Sequence, residues 1–238
     1  RKCLADHRLY LMTHRSLTMA TPSPAPRRTR RKDARPGELL QAALELFVEK
    51  GYAATRVEEV AQRAQVSKGT LFLYFPSKVE LFKAVVRANI SNLLREWDGE
   101  LGQFGGSSAE LVRLAVLRWW QRVGDTPASG ISKLVMSEAG QFPELAAFYE
   151  QEVIMPGRAL LRRILQRGVE RGEFAPMDLE HALYSLLAPM MFLLMWKHSL
   201  GPCSHSGQPL DPVAFIESQT RLLLTGLLAR QPHQGNPT

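Results

Sequence analysis

Residues 55–74 read T-R-V-E-E-V-A-Q-R-A-Q-V-S-K-G-T-L-F-L-Y, and this stretch decides the fold. Thr55 and Glu58 have the T-x-x-E spacing of a capping box, in which a hydroxyl and a carboxylate satisfy the first amides of a helix. Val57, Val60, Ala61 and Ala64 then make a narrow apolar stripe at helical spacing. Gln65-Val66 reads as a tight turn, and Ser67 as the N-cap of a second short helix that runs to about Tyr74. Pro76 cannot continue it. Two short helices joined in this way hold the second at a steep angle to the first, presented for a DNA major groove.

The faces of that second helix follow from ~100° per residue. With Leu71 turned to the core, Ser67 and Phe75 lie near it. Gly69 and Leu73 point outward, flanked by Lys68, Thr70 and Phe72. The outward face thus offers a cation, a residue with no side chain and a hydroxyl. Lys68 is placed to reach a guanine edge or a phosphate, Thr70 a phosphate or a base, and Leu73 a thymine methyl. The starts of the flanking helices, at Thr55-Arg56 and Ser77-Lys78, are expected to hold phosphates and so to set register.

Working outward, residues 36–50 form the expected first helix. Pro36 suits a first turn, Leu40, Ala43, Leu44 and Phe47 share a face, and Gly51 supplies the stop. Ser77 and Glu80 repeat the capping-box spacing and open a longer helix over 77–97, roughly 30 Å long at ~1.5 Å per residue. The glycine-rich stretch 99–108 is a loop and a candidate boundary. Beyond it the pattern predicts helices at about 109–123, 128–139, 144–171, 178–198 and 211–230, punctuated by proline and glycine. Pro156 and Pro189 fall inside two of them and are expected to kink or interrupt them. No stretch shows the alternation of a strand. The expected fold is all-α: an N-terminal three-helix DNA-binding domain with a helix-turn-helix, followed by a C-terminal helical ligand-binding and dimerisation domain. The predicted boundaries are 1–35 for a disordered segment with a basic arm, 36–82 for the DNA-binding domain, 83–230 for the second domain and 231–238 for a disordered tail.

Composition agrees with a polyanionic partner. The 238 residues carry a formal charge of +7. Arg27, Arg28, Arg30, Arg31, Lys32 and Arg35 crowd together with only Asp33 opposing them. Such an arm can enter a minor groove. Met19-Ala20 reads as a natural start, so residues 1–18 are expected not to belong to the natural protein. Cys3 and Cys203 have no metal-ligand spacing and are read as thiols of a reducing cytoplasm. The uncharged apolar run 182–196 is shorter than the about 20 residues of a membrane span. No catalytic triad order, H-E-x-x-H, phosphate-binding glycine loop or paired carboxylates in a recognisable context is present, so no enzymatic activity, metal or cofactor is expected.

The motif also carries a resemblance. Gly51-Tyr52, then T-R-V-E-E-V-A-Q-R-A from Thr55, then V-S-K-G-T-L-F-L-Y-F-P-S-K-V-E-L-F from Val66, resemble the DNA-binding domain of TetR-family regulators over about residues 36–86. The resemblance implies an all-helical homodimer whose grip on a palindromic operator changes when a small molecule binds a divergent C-terminal domain, most often as a repressor. It places DNA contacts at Thr55, Arg56, Ser67, Lys68, Gly69, Thr70, Tyr74 and Lys78, to which the helix geometry adds Leu73. Two positions depart from the family pattern. Gln65 stands where the turn commonly has glycine, and Phe72 where tyrosine is usual, which removes a phenolic hydroxyl from phosphate. A nonspecific architectural DNA-binding protein is the alternative reading.

In the C-terminal half, aromatic and methionine side chains collect. Trp119, Trp120, Phe148, Met155, Met191 and Trp196 are candidate pocket residues, although such side chains more often fill cores. His181 and His198 are read as surface or satisfied core histidines. Glu138, Glu150 and Glu152 are read as salt-bridged or solvated before being read as partners of a cationic effector. Leu183, Leu186, Leu187, Met190 and Leu194 on one late helix, and Phe215, Leu222, Leu223 and Leu227 on the last, resemble the family's dimerising pair, which would make a four-helix bundle with a twofold mate; the alternative is an intramolecular hairpin buried by the rest of the domain.

Overall fold

The computed structural model describes residues 30–101, 103–203 and 210–227. Among the described residues there are eleven α-helices and no strand. The first four are α1 (Arg30–Lys50), α2 (Val57–Arg63), α3 (Lys68–Tyr74) and α4 (Lys78–Val86). A wide π turn, Arg87–Ser91, carries α4 into α5 (Asn92–Leu101). Then come α6 (Ser108–Trp119), α7 (Ser129–Glu138), α8 (Pro143–Tyr149), α9 (Met155–Glu170), α10 (Leu179–Met195) and α11 (Pro212–Leu227).

α1 begins six residues earlier than the proline suggested, with Pro36 inside it. The residues before the proline are mostly good helix formers, and the helix reaches back through it at the loss of one ladder hydrogen bond. Arg27 and Arg28 of the basic arm, and the predicted tail 231–238, lie outside the described residues. Leu39, Ala42, Ala43, Leu46 and Phe47 of α1 are buried. They pack on Leu71 of α3 and on Leu81, Phe82, Val85 and Val86 of α4 in one core. Phe47, Tyr52 and Phe82 close it as an aromatic trio. Phe47 stacks on Tyr52 at 5.6 Å, and Phe82 meets both rings edge-on at 5.5 Å.

The caps differ from the sequence expectation in one place. Ser67 accepts from the Thr70 amide at 3.0 Å and Ser77 from the Glu80 amide at 3.1 Å. α2, however, starts one residue late for a Thr55–Glu58 box: Arg56 is the N-cap, and its amide donates to the Glu59 carboxylate at 3.4 Å. The Thr55 hydroxyl turns inward instead and donates to the carbonyls of Leu46 and Gly51.

In the second domain, α6, α9, α10 and α11 pack side by side, and α7 and α8 bridge to α1 and α4. Three more π turns interrupt the helices, at Trp120–Gly124, Glu150–Ile154 and Trp196–Leu200. The second of these directly precedes Pro156, where a ring would crowd the regular α-helical ladder. Pro189 sits within α10 without ending it. The helical run Leu179–Cys203 is 25 residues long and by length and composition alone could cross a membrane. Part of its apolar surface is used in packing: Leu183, Leu186, Met190, Leu193 and Leu194 are buried, whereas Tyr184, Phe192 and Met195 are exposed. The stripe of α11 that faces inward is Ile216, Thr220 and Leu224, whereas Leu222, expected in the paired stripe, is 66% exposed.

Gln65 lies in the left-handed region, at φ 55°. A residue with a Cβ costs about 1 kcal/mol there relative to glycine. Gln65→Gly should therefore raise stability by about 1 kcal/mol, read as a higher urea midpoint at unchanged slope. A lowered midpoint would contradict the strain argument.

Candidate nucleic-acid interface and ligand cavity

α3 has one anchored face and one offered face. Leu71 is fully buried and Leu73 is 85% exposed, two residues away on the same short helix. Beside Leu73, Phe72 is 38% exposed. Arg56, Ser67, Lys68 and Gly69 are exposed, and Thr70 and Tyr74 are half-buried. The Ser67 and Thr70 hydroxyls share a hydrogen bond of 2.8 Å. A Cβ built on Gly69 would meet nothing nearer than Ser67 Oγ at 3.8 Å. The chain's own packing therefore does not require glycine at this position. Lys68 pairs with Glu58 at 2.5 Å and lies 5.8 Å over the Phe72 ring. The Lys68 hydrogen bond holds the Glu58 carboxyl below the usual carboxylate range.

Two residues read as phosphate contacts are placed otherwise. Thr55 is 1% exposed and its hydroxyl is spent on the end of α1. Lys78 turns back under the loop between α1 and α2. Its ammonium donates to the carbonyls of Tyr52 at 2.7 Å, Ala53 at 3.2 Å and Thr55 at 2.9 Å, and sits 4.3 Å over the Tyr52 ring. An ammonium has three protons, and all three are used. Burial lowers the Lys78 pKa, an effect that the charge of Glu138 opposes.

Glu138, at the end of α7, completes the arrangement. Its two carboxylate oxygens accept from the amides of Tyr52 and Ala53, each at 3.0 Å. Gly51, at φ 84°, lies so close that a Cβ there would collide with the Glu138 carboxylate. Phe142, just before α8, meets the Tyr52 ring edge-on at 4.9 Å. Burial first, then Glu144 and Glu138, push the Tyr52 phenol up to about 12. One loop of the three-helix unit is thus held from below by its own α4 and from the side by the second domain.

The second domain encloses a cavity of about 240 Å³. Its walls come from α5, α6, α7, α8, α9 and α10 and from three of the π turns, through Ile90, Val123 and Val153. The lining is largely apolar; its polar groups are the hydroxyls of Ser132 and Tyr149, the indole N–H groups of Trp97 and Trp119 and, at Arg158, a guanidinium held by Glu180 at 2.7 Å. Of the six candidate pocket residues, Trp119 and Met191 line the cavity. The other four do not. Trp120 is buried against Gly124 with Lys197 over its ring. Phe148 packs under Lys83 and Arg87. Met155 is 58% exposed, and Trp196 packs on Phe192. Helical spacing alone cannot say which side of a helix faces a void. Trp97, at the end of the predicted 77–97 helix, also lines the cavity and could have been nominated. Ser132 and Tyr149 carried no sequence signal. His198, read as a surface or satisfied core histidine, is half-buried and pairs through Nε2 with Ser129 Oγ at 2.7 Å.

A short helix with one face buried and one bare, held on a three-helix core, is the geometry of a helix-turn-helix DNA-binding domain. Comparison with known proteins agrees. The family description "Bacterial regulatory proteins, tetR family" matches residues 39–85, and "Tetracyclin repressor-like, C-terminal domain" matches residues 109–202. The transcriptional activator FasR of Mycolicibacterium smegmatis is 48% identical over 63 residues, which is 26% of this chain and 29% of that relative's length. An uncharacterised helix-turn-helix transcriptional regulator of Mycobacterium tuberculosis is 30% identical over 184 residues, covering 77% of this chain and 87% of the relative. The crystal structure of FadR from Bacillus subtilis in complex with stearoyl-CoA superposes with a TM-score of 0.66 at 21% identity, over 80% of this chain and 98% of that one. At that identity the likeness is one of fold. The chain belongs to the TetR family of helix-turn-helix transcriptional regulators.

Lys78→Ala should remove three carbonyl partners at once and cost about 2 kcal/mol. Glu138→Ala should cost less, because water can reach the Ala53 amide. Urea denaturation followed by circular dichroism measures both. A Lys78→Ala protein as stable as the parent would show that the buttress is not needed.

Proposed function

We propose that this chain is a cytoplasmic, homodimeric transcriptional regulator, a repressor in the simplest case, that reads a palindromic operator and responds to a small apolar effector. The observation that carries the DNA reading is the contrast between buried Leu71 and 85% exposed Leu73 on one helix. An apolar side chain held in water at the centre of a polar face gains by meeting a thymine methyl. Arg56, Ser67, Lys68, Gly69, Thr70 and Tyr74 surround it as the further DNA contacts. Gly69, unconstrained by its own chain, allows close backbone approach. Lys68 exchanges Glu58 for DNA on binding. Thr55 and Lys78 act from beneath, by fixing the loop that aims the helix pair.

A partner copy is supported by the outer face of α10 and α11. Tyr184, Phe192, Met195 and Leu222 are each 41% or more exposed there, on the helix pair that the family resemblance assigns to dimerisation. Two half-sites also give two short recognition helices enough bases to read. The effector reading is supported by the apolar cavity in a fold shared with FadR, which carries stearoyl-CoA. α7 supplies the route between sites. Ser132, Val135 and Met136 line the cavity, while Gly130 abuts Val48 of α1 and Glu138 grips Tyr52 and Ala53. A ligand that moves α7 therefore tilts the DNA-binding domain.

A mobility-shift assay on the intergenic DNA flanking the gene tests the DNA reading. Lys68→Ala and Leu73→Ala should each weaken specific binding about tenfold, within the 1–3 kcal/mol typical of a base contact. Lys78→Ala, at matched folded fraction, should leave the salt slope unchanged. Equal competition by random DNA would favour a nonspecific architectural binder.

The dimer has its own test. Met195→Glu combined with Leu222→Glu should shift sedimentation from dimer to monomer. A dimer that survives both charges would move the interface elsewhere.

A further inference from the structure

Ser132 on α7 and Tyr149 at the end of α8 are each 7% exposed, and both line the cavity. Their oxygens are 2.7 Å apart, and either hydroxyl can be the donor. Two hydroxyls hold two protons between them, and their mutual bond uses one. Among the described residues no acceptor takes the other. Whichever group donates, one O–H is left over at the wall of a largely apolar space. Burying such a donor without a partner costs about 1–3 kcal/mol. Burial also pushes the Tyr149 phenol up to about 12, so it keeps its proton at neutral pH. The charged group of the lining, Arg158, is engaged by Glu180, which it shares with Arg162, and lies 5.0 Å over the Tyr184 ring, whereas the hydroxyl pair is neutral.

We infer that the effector is a largely apolar molecule bearing a neutral acceptor oxygen, a ketone, ester or ether, which takes the spare O–H of the Ser132–Tyr149 pair. This rests on the reading of the cavity as the effector site and adds the chemistry of recognition. The pair is self-compensating. Removing either hydroxyl frees the proton of the other, so a donor remains. Only removal of both takes this donor away.

That property sets the experiment. Two bicyclic probes of nearly equal shape, 2-acetylnaphthalene and 2-isopropylnaphthalene, are titrated calorimetrically into the full chain. The quantity of interest is the ratio of the two dissociation constants, because it cancels the shared apolar contribution. Ser132→Ala and Tyr149→Phe singly should each keep the parent's ratio within about threefold. The Ser132→Ala/Tyr149→Phe double variant should shift it about tenfold toward the hydrocarbon, the size of one net hydrogen bond. A ratio unchanged in a folded double variant overturns the inference while leaving the cavity as a binding site. Loss of ketone preference in either single variant also overturns it, because it would mean one fixed donor and no shared proton. Binding of neither probe to the parent chain removes the effector site itself. The single variants supply the decision if the double variant does not fold, since the shared proton requires both to keep the ratio.

Discussion

Five residues between α1 and α2 carry the backbone constraint on which the arrangement depends. The chain turns at Gly51 with φ 84°; the Gly51 amide still donates to Phe47 of α1, but the carbonyls of Tyr52, Ala53 and Thr55 and the amides of Tyr52 and Ala53 need other partners at this corner. Two side chains of opposite charge provide these. Lys78 takes the carbonyls of Tyr52, Ala53 and Thr55, and Glu138 takes the amides of Tyr52 and Ala53. Each is the right kind of group, because an ammonium only donates and a carboxylate only accepts. The cation belongs to α4 and the anion to α7, so a single loop ties the helix pair to its own domain and to the next. The tie is charge-assisted and partly sheltered from water, which makes it stronger than an exposed ion pair of the same groups.

The cavity and the presented helix are linked through the same tie. α7 faces the cavity with Ser132, Val135 and Met136 and ends on the loop with Glu138. The π turns contribute at the other walls. Each inserts an extra residue into a helical turn and so rotates the side chains that follow, which lets Ile90, Val123 and Val153 point into the space. The π turns 87–91 and 150–154 are joined by Arg87 and Glu152 at 3.2 Å. The cavity is thus walled in part by helices that are already irregular.

Much of this was legible in the sequence. The helices beyond residue 77 fall close to their predicted bounds, because apolar periodicity and proline or glycine stops are local signals. The buried and bare faces of α3 follow from the pitch of a helix once Leu71 is set inward. Gln65 takes the positive φ that the tight turn demands, as a residue standing in a glycine's place suggested. The failures share a cause. The family resemblance assigns DNA contacts to Thr55 and Lys78, yet here both side chains are committed inside the domain. Trp120, Phe148, Met155 and Trp196 have the composition of pocket residues but face protein or water.

The sequence by itself determined which segments are helical, about where they stop, and which short helix turns a bare face outward. Those outcomes depend on neighbours within a few residues, through backbone hydrogen bonds and the 3.6-residue pitch. Only the tertiary structure decided what the charged and polar side chains are for. Lys78 is 23 to 26 positions from its partners, Glu138 is 85 and 86 from its own, and Ser132 is 17 from Tyr149. A long side chain has several acceptors within reach of its backbone position. Which one it takes is settled by how the helices pack, and helix packing is set by shape rather than by any repeat in the chain.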